Sequence, residues 1–192
     1  MASIAFHSQL ALAKVDLPPN VTTKPYGGGG NRAIDTIDYS FSTEKVIPFA
    51  RVKLCVARNI TNNEVQLTDR AGSFVTGGGN YYQGRSNSTI QGGSVFKYID
   101  DATGSLIAQG SISRQGGFAG IIGMSIRFDL EMALSDGRVQ MTMRQIESAM
   151  KNTGTISNDG FNPIGAWTGS MYKKHILALD NAADQIKACI ME

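Results

Sequence analysis

From Met124 to Leu134 the chain alternates at every residue. Met124, Ile126, Phe128, Leu130, Met132 and Leu134 share one parity, and Ser125, Arg127, Asp129, Glu131 and Ala133 share the other. Successive strand side chains point to opposite faces of a sheet, so this run predicts a strand with one apolar face and one wet face. Ser135-Asp136-Gly137-Arg138 follows, an Asp-Gly turn of the hairpin kind. Val139, Met141 and Met143 then resume the apolar parity. A hairpin of this kind is stable only if something apolar covers its buried face.

Two helical patterns can supply that cover. Phe49, Val52, Val56 and Ile60 recur at helical spacing with Cys55 beside them. Ser42 or Thr43 can cap this helix, and Pro48 is tolerated only in a first turn, so the regular part is placed at 47–59. After Ser170, a second possible cap, Ile176, Leu179, Ala183, Ile186 and Ile190 form an apolar stripe with Cys189 alongside. His175, beside Lys173 and Lys174, is expected in solvent.

A further hairpin is read in "VFKYIDDATGSLIAQGSI", residues 95–112. Asp100-Asp101 could open a cation-binding loop. Such a loop needs about six oxygens and a later bidentate Glu, and Ser105, Leu106 and Ile107 follow instead. A tight turn is therefore expected, with Gly104 at positive φ and Asp101 bonding the turn backbone.

Residues 34–41 read as a first strand. Residues 14–33 hold three of the five prolines and four consecutive glycines, and read as a linker. The expected organisation is an arm and linker over 1–33 and a single domain over 34–192. Gly-rich insertions fall at 61–93, with short strands near 65–67 and 73–76, and at 151–169. The order strand, helix, antiparallel strands, helix predicts an α+β fold, an antiparallel sheet with two helices packed on one face.

Three segments resemble an uncharacterised bacterial family of unknown function, described as having a TATA-binding-protein-like fold. They are the helix at 43–60 after a short strand, the 95–112 hairpin, and "IRFDLEMALSDGRVQMTMRQI". The resemblance spans roughly 34–146. It implies that fold and an exported or lipid-anchored protein, and it supplies no catalytic residues.

The residues point to few chemistries. A net charge of +2 is too small to imply a nucleic-acid partner. The wet face, with Arg127 beside Asp129 and Glu131, then Gln140, Thr142 and Arg144, is close to neutral, unlike a groove-binding sheet. No apolar run reaches the about 18 residues of a transmembrane helix. His7 and His175 are the two histidines, too few for a metal or nucleophile set. Cys55 and Cys189 fit no zinc spacing. They read as two small buried side chains, or as a single bridge between the helices if the protein is exported. "TGGGNYYQGR" lacks the form of a phosphate-cradling loop. Asp129 and Glu131 could do acid-base work, but read first as surface charges.

No catalytic, cofactor-binding or metal-binding set is expected. Contact residues are. Tyr81, Tyr82 and Arg85 lie in the first Gly-rich insertion and Trp167 in the second, all types favoured at interfaces. Ile4, Phe6, Leu10 and Leu12 alternate in the arm at strand period, and Ala11-Leu12-Ala13 also resembles a signal-peptide cleavage site. The expected function is a non-enzymatic binding module of the bacterial cell envelope or periplasm, with a protein partner or self-assembly. The alternative is a structural subunit of a large extracellular or virion-like assembly, whose arm adds a strand to a neighbour.

Overall fold

The computed structural model describes residues 15–116 and 122–192. In chain order the elements are β1 (Val21–Pro25), β2 (Arg32–Ser42), α1 (Phe49–Asn59), β3 (Val65–Asp69), β4 (Phe74–Val75), β5 (Tyr81–Tyr82) and β6 (Ser86–Ile90). There follow β7 (Phe96–Asp100), β8 (Ser105–Gly116), β9 (Ile122–Ser135), β10 (Arg138–Met150), β11 (Asn162–Pro163) and α2 (Tyr172–Met191). The main sheet runs β1-β2-β10-β9-β8-β7, with β11 added to the far end of β10. All its described pairings are antiparallel. The chain is an α+β protein.

The alternating run forms β9 as its pattern requires. Ile126, Phe128, Leu130 and Met132 are buried, and so are Val139, Met141 and Met143 across the turn. They meet Val52, Cys55 and Val56 of α1 and Ile176, Leu179, Ala183 and Ile186 of α2 in one core. Both helices therefore pack on the same face of the sheet. At about 25 cal/mol per Å² of apolar surface, this shared layer is the main source of stability.

The described part of the expected linker, residues 15–33, is not a linker. Val21–Pro25 pairs with β2 as an edge strand, and Tyr26 N–H donates to Asn31 O at 3.0 Å to close the turn. Pro18 and Pro19 precede the strand and Pro25 ends it at the sheet edge, so none of the three breaks a central ladder. Val15 and Leu17 pack against the core.

One irregularity divides β10. Arg144 pairs with Asp129, but Glu147 pairs with Arg127, so β10 spends one residue more than β9. Gln145 takes up the excess at φ +50°. This is a β-bulge. Before it, odd-numbered residues face the helices; after it, Ile146 does.

Beyond the bulge, Ala149 sits opposite Ser125, on the face away from the helices. There β3 and β6 form a separate two-stranded layer. Val65, Leu67 and Ala149 make a second small core, with Ile90 and Phe161 against it. This layer explains why Ser125, expected on a wet face, is fully buried.

Cys55 and Cys189 are not separate thiols. They form a disulfide with a Cα–Cα distance of 5.6 Å, joining α1 to the last turn of α2. The reading as two small buried side chains fails because the packed helices face each other at these positions. Arg51 reinforces the junction, donating to Cys189 O from Nε at 3.0 Å. Tyr39 on β2 donates to Asp180 Oδ1 on α2 at 2.8 Å, and burial followed by this neighbour pushes its phenol well above the usual range.

Two caps and one turn also differ in detail. The N-cap of α1 is Pro48 with no side-chain cap, not Ser42 or Thr43, which lie too far upstream of the first helical residue Phe49. Ser170 donates its hydroxyl to Trp167 O at 2.8 Å, and the N-cap of α2 is Met171 in the left-handed region. In the 100–105 turn Gly104 has φ +64°, but the bonding carboxylate belongs to Asp100, not Asp101. Asp100 Oδ1 accepts from Ala102 N at 2.9 Å and Thr103 N at 3.2 Å. Hydrogen bonds from Thr103 hold its carboxyl below the usual range. Asp101 pairs instead with Lys53 of α1 at 2.6 Å.

Candidate functional site

The first Gly-rich insertion folds into a short two-stranded ribbon. Phe74 pairs with Tyr82 and Val75 with Tyr81. At the tip, Thr76 N–H donates to Asn80 O at 2.9 Å, and Asn80 N–H donates to Thr76 Oγ1 at 3.2 Å. At the foot, Ser73 Oγ accepts from Gly84 N at 3.0 Å and donates to Arg70 O at 2.7 Å. The rings of Phe74 and Tyr82 stack with centroids 5.2 Å apart. Phe74, Val75, Tyr81 and Tyr82 are each more than half exposed. None of them joins either core. The sequence expectation found the two tyrosines. Phe74 and Val75 were missed because five polar and glycine residues, Thr76 to Asn80, separate them from the tyrosines they pair with.

Arg85 lies at the ribbon's foot. With Thr68, Asp69, Arg70, Gln83 and Asn152 it lines a polar cavity of about 130 Å³. Backbone bonds fix the walls: Thr68 N–H donates to Lys151 O at 2.8 Å, and Arg70 N–H donates to Gly154 O at 2.6 Å. Asp69 is buried, and its carboxylate accepts from Ala71 N at 2.9 Å and Asn158 N at 3.0 Å. Among the described residues, neither Arg70 nor Arg85 is paired with a carboxylate.

Trp167 is not part of this surface. It is partly buried and stacks on Tyr26 at 6.2 Å between centroids, tying the β1–β2 turn to the 162–170 segment. Its role here is packing. Ile4, Phe6, Leu10 and Leu12 lie outside the described residues.

The carboxylates weighed for acid-base work are engaged in ion pairs. Asp129 meets Lys97 at 2.6 Å and Glu131 meets Arg144 at 3.0 Å, while Arg127 meets Glu147 at 2.6 Å. Asp129 is only 8% exposed rather than a free surface charge, because Lys97 from β7 reaches across to it. These alternating charges cover the solvent face of the sheet.

His175 is also not solvated. It is 4% exposed, on the inner side of α2, and its Nδ1 lies 3.1 Å from Met171 O. Burial depresses its pKa, opposed by the Met171 carbonyl and aided by the Arg114 charge. Arg114 itself donates to Lys174 O, holding its charge near this turn. The unfolded chain therefore takes up the proton more readily than the folded one. The stability contribution of a neutral His175 is complete above the ordinary histidine pKa of about 6.5 and is lost as pH falls below it. Urea unfolding between pH 8 and pH 5 is expected to show this decline. His175→Gln is expected to flatten it, and an unchanged slope would place the titration elsewhere.

No family model matches the chain, and no curated protein is similar to it. A solved structure of a DUF4468 family protein from Bacteroides ovatus is a distant neighbour, at 10% identity and a TM-score of 0.43, over 83% of this chain and 87% of that one. A likeness of this degree carries no argument for shared function. No described helix is long and apolar enough to cross a membrane.

Proposed function

We propose that the chain is a non-enzymatic binding module of the bacterial cell envelope that meets a protein partner through the β4–β5 ribbon. The observation that carries this reading is the exposed cluster of Phe74, Val75, Tyr81 and Tyr82. Contiguous exposed apolar side chains on a projecting element mark interaction surfaces, and Tyr and Phe are enriched there. The Cys55–Cys189 bridge supports an oxidising compartment such as the periplasm. The TATA-binding-protein-like arrangement implied by the sequence resemblance belongs to the same reading.

Photo-crosslinking in producing cells tests it. Benzoylphenylalanine replacing Phe74 or Tyr82 is expected to give a discrete protein adduct. The same group replacing Val46, 95% exposed but outside the ribbon, is expected to give none. Equal labelling from all three positions, or no adduct from the ribbon, would sink the proposal.

A second reading, a subunit of a larger extracellular or virion-like assembly, is favoured by the sheet edge at β7. Among the described residues no strand pairs with its outer side, and Tyr98 and Ile99 are exposed there. Such an edge can accept a strand from a neighbour.

A further inference from the structure

We propose that the cavity at the foot of the ribbon is a binding site for a small hydroxylated anion, a sugar acid or sugar phosphate. Its wall carries two guanidinium groups, Arg70 and Arg85, with no carboxylate paired to either among the described residues. Guanidinium groups bind carboxylates and phosphates through paired, charge-assisted hydrogen bonds.

The remaining wall determines what the anion is attached to. Gln83 and Asn152 offer both amide donors and carbonyl acceptors, and Thr68 offers a hydroxyl. Asp69 is an acceptor-only group in the same wall. Each of its oxygens takes one backbone N–H, leaving lone pairs unused. A bare inorganic anion brings at most one or two hydroxyl donors to such a group. A ligand with hydroxyl donors beside its negative charge satisfies both kinds of wall. The cavity, about 130 Å³, holds several waters' worth of space, enough for one anionic group and its nearest hydroxyls. Backbone hydrogen bonds tie 68–70 to 151–154, and Gly84 N–H donates to Ser73 Oγ beside Arg85, so the backbone frame of the cavity is formed before any ligand arrives. This inference does not depend on the ribbon's protein partner.

Isothermal titration of the full chain with glucuronate, glucose 6-phosphate, inorganic phosphate and glucose tests it, alongside Arg70→Gln and Arg85→Gln. At least one of the two acidic sugars is expected to bind saturably, at least tenfold more tightly than inorganic phosphate or glucose. A carboxylate source and a phosphate source are told apart by which of the two binds. Each arginine variant is expected to weaken that binding at least tenfold with an unchanged thermal midpoint, and added salt to weaken it further. If Arg70→Gln does not fold, Arg85→Gln at the exposed ribbon foot gives the reading alone. Absence of saturable binding overturns the proposal. So does binding that survives the foldable variants, or equal affinity for inorganic phosphate.

Discussion

Breaking the Cys55–Cys189 bridge is expected to lower the thermal midpoint by about 4–20 °C. The bridge spans 134 residues of sequence. In the chain-entropy account a loop of that length restrains the unfolded chain by about 5 kcal/mol, and loss of a native bridge commonly costs about 2–5 kcal/mol. In a domain of this size, about 1 kcal/mol moves the midpoint by roughly 2–4 °C. The folded state loses little on its own account, because Val52, Val56, Leu179, Ala183 and Ile186 hold the helices together around the bridge. A Cys55→Ala/Cys189→Ala variant should therefore keep its far-ultraviolet circular dichroism while melting earlier. Melting with and without reductant checks the same point in the natural chain. An unchanged midpoint in both comparisons would mean that the bridge contributes nothing to stability.

Phe128→Ala is expected to cost about 3–5 kcal/mol, the range for emptying a large buried aromatic site. Phe128 is 1% exposed and lies opposite Gly110 on β8. A Cβ placed at residue 110 would fall 2.6 Å from Phe128 Cζ and 3.0 Å from Ile60 Cγ2. The ring thus occupies the space that glycine leaves open, and Ile60, the C-cap residue of α1, closes its other side. Gly110→Ala alone should cost about 1–3 kcal/mol through overpacking. In the Phe128→Ala background the same change should be neutral or favourable, since the new methyl enters the vacated volume. Urea unfolding of the four proteins in the cycle reads this coupling. Strictly additive costs would show that the two residues do not share the space.

The sheet's central hairpin and both helices were legible in sequence because each carries its own period. β9 has six alternating apolar residues and an Asp-Gly turn, and α2 has its stripe from Ile176 to Ile190. β1 was hidden. It has five residues, sits between prolines and glycines, and gains its pairing from β2 rather than from its own pattern. His175 was misplaced because its lysine neighbours suggest water, whereas burial is decided by which turn of α2 meets the sheet. The bridge could be named only as one option, since two cysteines 134 positions apart reveal nothing about proximity. The contact surface was half legible. Tyr81, Tyr82 and Arg85 stand out as residue types, but only the folded ribbon adds Phe74 and Val75, and only the β3–β6 pairing brings Asp69 and Arg70 beside Arg85.

The single extra residue at Gln145 behaves like a frameshift written into a strand. Upstream of it β10 is read in one frame, with Val139, Met141 and Met143 turned towards the helices; downstream it is read in the other, so that Ala149 reaches the small layer on the far side. The change of frame coincides with a change of neighbour, from β2 up to Met143 to β11 from Glu147. One continuous strand can therefore serve two different cores on opposite faces. If the same sequence paired straight through without the bulge, Ser148 would turn to the far layer and Ala149 towards the helices, losing both surfaces at once.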